Sequence, residues 1–127
     1  MTRGRGEDGL TATQLAVIMP ALLLWIMLIV QYGLWFHAKQ VAGAAAAEAV
    51  DAGQLATATT ADGERAALSF LAQSGNLDQI AVDVQRTDDA VTVRVSGRAP
   101  RLVPFTNWGV TAIAEARVEQ FIPQAER

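Results

Sequence analysis

Residues 9–38 read GLTATQLAVIMPALLLWIMLIVQYGLWFHA, without one charged side chain. From residue 13 onward only Thr13-Gln14, Gln31 and His37 interrupt its apolar character, and Thr13-Gln14 and His37 lie near its ends. A helix rises about 1.5 Å per residue, and roughly 20 apolar residues cross the hydrocarbon of a bilayer. The stretch therefore predicts a single membrane span at about residues 13–38. The chemistry of the chain must hang from that anchor.

Outward from the span, the 127 residues leave room for only a small domain. A domain of that size has a thin core and needs a helper. There is no cysteine, so a disulfide is not that helper. An extension of the membrane helix, or a partner protein, remains. The net charge of −3 speaks against a nucleic-acid footprint. Arg3, Arg5 and the α-amino group precede the span, and Lys39 alone closely follows it. The positive-inside rule then places the N-terminus in the cytoplasm and the C-terminal domain outside.

Met1 to Asp8 is polar and glycine-spaced and reads as disordered, with Thr11 or Thr13 as helix cap. Pro20 lies within the apolar run, where a membrane helix tolerates it. Tyr32, Trp35 and Phe36 resemble an aromatic belt at the far boundary. The helix is expected to continue to about Ala56, because residues 38–56 lack proline and are rich in alanine. Ala38, Ala42, Ala45, Ala49 and Gly53 form a stripe of small side chains on one face, which lets backbones approach closely. Ala45→Leu should therefore disturb assembly more than Ala47→Leu.

Leu55 to Thr60 reads as a linker. Thr60 or Asp62 caps a second helix running to Gln73, with Gly75 as its stop. Ile80, Val82 and Val84 alternate with Asp83 and Gln85, and Val91, Val93 and Val95 with Thr92, Arg94 and Ser96. Around Asp88-Asp89 these runs predict an antiparallel hairpin. Arg98 to Gly109 reads as a loop, with Phe105 and Trp108 as core plugs or as a sticky patch for a partner. Val110 to Phe121 predicts a third strand, ended by Pro123. The fold class is thus α+β: leader 1–9, long helix 10–56, and a small extracytoplasmic domain 57–127 with a short helix and three antiparallel strands.

Catalytic inventories are mostly empty. One histidine and no cysteine make no Cys-His pair and no usual zinc cluster. No Gly-x-Ser-x-Gly, P-loop or His-Glu-x-x-His occurs. His37 reads as an interfacial polar residue. Asp78, Asp83, Asp88 and Asp89 lack EF-hand spacing and fit turns and strand edges. Gln31 could bond a neighbouring helix or sit near headgroups. No cofactor and no enzyme activity are expected.

The segment from Gly9-Leu10 through Gln14 to Pro20 resembles the N-terminal signal of type IV pilin-like proteins. In that family a charged leader ends in glycine, and a prepilin peptidase cuts after it while the apolar helix stays. The cut here would fall between Gly9 and Leu10. Within that superfamily the chain is most similar to TadE-like proteins of tight-adherence (Flp) pili. The matching features are Pro20 in the apolar run, Gln31-Tyr32-Gly33, residues 44–49 (AAAAEA) and residues 114–119 (AEARVE). The first 50 residues carry nearly all of the likeness. Pilins usually have glutamate at the fifth residue after the cut, and here that residue is Gln14. The amide brings no charge, which suits a minor subunit or an assembly factor better than a major filament subunit.

The resemblance implies a non-enzymatic minor pilin or pseudopilin in the cytoplasmic membrane, working by helix packing through Gln14, Pro20, Gln31 and the alanine stripe. Its implied partners are lipid, prepilin peptidase, and other pilin-like or assembly-platform subunits in an oligomer or polymer. Two alternatives remain at this point. One is a secreted binding domain released from a signal peptide at Ala42-Gly43-Ala44 or Ala44-Ala45-Ala46. The other is an uncleaved single-span subunit of an unrelated membrane complex.

Overall fold

The computed structural model describes residues 5–75 and 77–120. Helix α1 (Arg5–Gly53) is followed by α2 (Thr60–Ser74) and strands β1 (Asp78–Arg86), β2 (Ala90–Arg98) and β3 (Gly109–Arg117). The strands form an antiparallel meander in the order β1-β2-β3. This is the expected α+β architecture.

Helix α1 has 49 residues and is about 74 Å long. It runs through Pro20 without interruption. Its start differs from expectation: residues 5–8 are already helical, so Thr11 and Thr13 are interior and neither is the N-cap. The first four residues, and Pro123, lie outside the described part. The helix ends at Gly53 rather than Ala56. A Cβ on Gly53 would stand 3.1 Å from Val91 Cγ1, so the rod closes tightly onto β2 there.

The lower and upper halves of α1 differ in surroundings. Residues 11–26 are all exposed. From Gln31 upward, Ala38, Val41, Ala42, Ala45, Ala46, Ala49 and Val50 are buried at helical spacing. They meet Val91, Val93 and Val95 of β2 and Val110 of β3 in one core. Alanines permit this close approach, and the valines present the β-branched surface that fills it. The small stripe is therefore covered by the chain's own head.

Helix α2 packs its Gly63, Ala67 and Leu71 edge inward. Gly63 serves close approach: a Cβ there would lie 3.0 Å from the Ala49 carbonyl oxygen and 3.3 Å from Val84 Cγ1. The cap is Thr59, one residue before the expected Thr60. Asp62 acts from inside the first turn: its Oδ2 accepts from the Thr59 amide at 2.7 Å and the Thr59 hydroxyl at 2.9 Å. Gly75, at φ 62°, closes the other end by donating to the Leu71 carbonyl.

Two strand expectations need correction. Ile80 is exposed, because the pairing of β1 with β2 is irregular between Asp78 and Ala81 and Gln79 has φ 51°. Val82 and Val84 alone keep the inward alternation. Strand β3 ends at Arg117, short of Phe121, which lies outside the described residues. Past that end Val118 donates to the Asp89 carbonyl and Glu119 to the Gln54 carbonyl, which ties the chain to the top of the rod. Arg86 adds bonds to the Leu55 and Ala56 carbonyls just beyond α1.

Two outcomes follow. Ala45 is fully buried and Ala47 is exposed. Ala45→Leu should lower stability by about 1–3 kcal/mol through overpacking, while Ala47→Leu stays near neutral, as read by thermal unfolding in detergent. The Thr59 amide, then the Thr59 hydroxyl, with Arg65 adding less, hold the Asp62 carboxyl below its ordinary value. A lowered folded value means that this contribution is complete above the ordinary carboxylate range and lost as pH falls through it and below. The Tm difference between the parent and Asp62→Ala should be full at about pH 6 and shrink at about pH 3.

Candidate functional site

Every residue singled out for processing or assembly lies on α1, and the structure distributes them along it. Gly9 and Leu10 fall within the helical backbone near its start. Gln14 and Pro20 are exposed on the apolar lower half. Among the described residues, this half is the one helix long and apolar enough to cross a membrane, and its most apolar window has no buried residue. That absence of cover separates it from the core helix of a soluble protein, which would be enclosed. Ala38, Ala42, Ala45 and Ala49 are 0% exposed beneath the sheet and α2.

Gln31 marks the junction. It is 1% exposed and the only buried polar side chain among the described residues. Its Oε1 accepts from the Leu102 amide at 2.8 Å and the Val103 amide at 3.2 Å, and its Nε2 donates to the Pro100 carbonyl at 3.1 Å. One carboxamide thus satisfies three backbone groups of the loop joining β2 to β3. A buried amide or carbonyl without a partner costs about 1–3 kcal/mol, so the clamp fixes that loop against the rod. Of the two expectations for Gln31, neither a neighbouring helix nor free headgroups describes its bonds here; it binds its own chain.

One turn higher, Trp35 Nε1 donates to the Gly109 carbonyl at 3.2 Å. Its ring meets Trp108 edge-on with centroids 6.3 Å apart, and Lys39 Nζ lies 5.4 Å from its centroid. Tyr32 stands 5.8 Å from Trp35 and 6.4 Å from Phe36. Tyr32, Trp35, Trp108 and Gly109 line a shallow apolar recess at the base of the head. Trp108 is half-buried there against Trp35 and is not among the residues of the core. Phe105 is not a plug: it is 101% exposed, at φ 67°.

Sequence reasoning missed three features. Thr59-x-x-Asp62 was readable as a capping box. Arg86 and the targets of Gln31 were not, because each bond spans 30 residues or more of sequence. Among the described residues no group of three His, Cys, Asp or Glu side chains could hold a metal ion.

Residues 9–51 match the family model described as TadE-like protein. No curated protein matches the chain significantly, and neither does any solved structure. The match coincides with the long helix and stops short of the head.

The clamp has a direct test. Gln31→Leu leaves the Pro100 carbonyl and the Leu102 and Val103 amides without their partner. Stability should fall by about 1–3 kcal/mol or more, and hydrogen exchange should accelerate selectively over residues 100–106, with the β2 amides of Val91–Val95 keeping their protection.

Proposed function

We propose that this chain, which is TadE-like over residues 9–51, is a structural minor pilin or pseudopilin-like subunit, or assembly factor, of a tight-adherence-type pilus. TadE-like character implies a role in assembling such pili. The finer reading is a non-enzyme held in the cytoplasmic membrane, with its N-terminus inside and its head outside. The observation that carries it is the division of α1. An uncovered apolar half suits lipid and the spans of other subunits, while the other half is sewn into a folded head.

In this reading the alanine stripe acts by locking the head to the rod in one register. Contacts with other subunits fall to the exposed lower half, where Gln14 and Pro20 lie. Gln14 can hydrogen-bond a neighbour's amine without burying a charge. Lipid, other pilin-like or platform subunits and prepilin peptidase are the proposed partners.

Release from a signal peptide fits the packing poorly. A cut at Ala42-Gly43-Ala44 or Ala44-Ala45-Ala46 would take Ala38, Val41 and Ala42 out of the core and sever Gln31 and Trp35 from the head. Removal of the leader before Leu10 leaves all of these in place.

Co-expression with an active prepilin peptidase should yield a membrane-bound protein whose mass and first residue correspond to Leu10. An intact Met1 under those conditions rejects the processing step, and a soluble product beginning near Ala45 rejects the anchored subunit altogether.

A further inference from the structure

The loop from Ala99 to Trp108 is placed at a particular height. The Ala99 amide donates to the Trp108 carbonyl where the loop leaves the sheet. Gly109 is bonded to Trp35, whereas Leu102 and Val103 are bonded to Gln31, about 6 Å lower on the rod. The loop thus descends α1 from the sheet toward the apolar half. Its tip is a tight turn in which the Thr106 hydroxyl donates to the Val103 carbonyl at 2.6 Å.

The tip presents an unusual surface. Phe105 is fully exposed, Leu102 is 45% exposed, and Pro104 is exposed beside them. Phe105 also has φ 67°, a left-handed conformation that bulky side chains rarely adopt. A strained backbone presenting a bare aromatic ring does nothing for the core. Arg101, also exposed, stands at the root of the turn.

The height of the tip coincides with a boundary. Residues 13–30, the part of the expected 13–38 span that lies below the loop's attachment, make about 27 Å of helix, close to the thickness of a bilayer's hydrocarbon. They end where Gln31 begins to hold the loop. Ile29, Val30 and Tyr32 are exposed on the rod at the same level, at 66%, 45% and 56%. The bonds to Gln31 thus set the apolar tip at the height of these exposed side chains.

We propose that residues 101–106 are a second membrane contact, seating Leu102, Pro104 and Phe105 at the headgroup–acyl boundary of the leaflet nearest the head. Arg101 reaches the lipid phosphates there, as a long cationic side chain does at an interface. The contact fixes the tilt and rotation of the head above the bilayer, which a single span leaves free. It places the end of the span at Val30, short of the expected residue 38, at the level where Gln31 holds the loop. The inference rests on the lower half of α1 spanning a membrane, as proposed above.

The chain has no native cysteine, so single-cysteine variants take one label each. Phe105→Cys, Ile18→Cys and Ala47→Cys carry nitroxide labels on the full chain in vesicles of phosphatidylcholine and phosphatidylglycerol. Collision with oxygen, which concentrates in lipid, is compared with collision with a water-soluble nickel chelate. Site 105 should show an oxygen-to-nickel ratio several-fold above site 47 and below site 18. A ratio at 105 equal to that at 47, with 18 still lipid-exposed, overturns the loop contact and leaves the span intact. A label at 105 that is immobilised and shielded from both reagents identifies a protein contact and also overturns it. A water-exposed label at 18 overturns the span and the loop contact together.

Discussion

The structure depends on how closely a helix can lie on a sheet. Ala38, Ala42, Ala45 and Ala49 bring the rod's backbone down onto Val91, Val93 and Val95, and from Ala38 to Val50 the buried side chains of the rod are alanines apart from Val41 and Val50. The valines are fully buried, each contributing roughly 1.5–3 kcal/mol of apolar burial. For a head too small to enclose a core of its own, the upper half of α1 supplies the missing wall. Gly53 and Gly63 extend the same constraint to the top of the head, where α1 meets β2 and α2.

That arrangement gives one helix two unrelated solvents. Its upper turns face valine and alanine from the same chain. Its lower turns carry leucine, isoleucine and tryptophan with nothing over them. In water so long an apolar surface would aggregate; in lipid it is satisfied, since the helix meets its own backbone hydrogen bonds internally. The apolar half of the rod thus continues without a linker into the half that packs against the sheet through the stripe. The proposed role as a pilus subunit or assembly factor suits such a joint.

Polar chemistry is concentrated where the two solvents meet. Gln31 has enough hydrogen-bonding capacity for three loop groups and carries no net charge, which is tolerable beside hydrocarbon. Trp35 repeats the device one turn up with a single donor under an apolar ring. Together they hold a loop of the head against the rod at the upper end of its uncovered apolar half. The strain at Phe105 is carried by a turn already fixed at both sides, so an exposed ring persists in a conformation that an isolated segment would leave.

The sequence by itself determined the elements whose causes are local. An uncharged apolar run made a helix able to span a bilayer, strict alternation made the valine hairpin, alanine at every third or fourth position made a stripe, and Gly75 stopped α2. Gln14 and Pro20, proposed for assembly, were singled out only through likeness to a family, because on one helix nothing nearby distinguishes a contact residue from a lipid-facing one. What covers the stripe, what Gln31 bonds, why Phe105 lies bare while Trp108 is tucked in, and why Ile80 leaves its expected face were decided by the tertiary structure alone. Each of these depends on which backbone groups and side chains arrive from far along the chain, and periodicity records a residue's facing without recording what will stand opposite it.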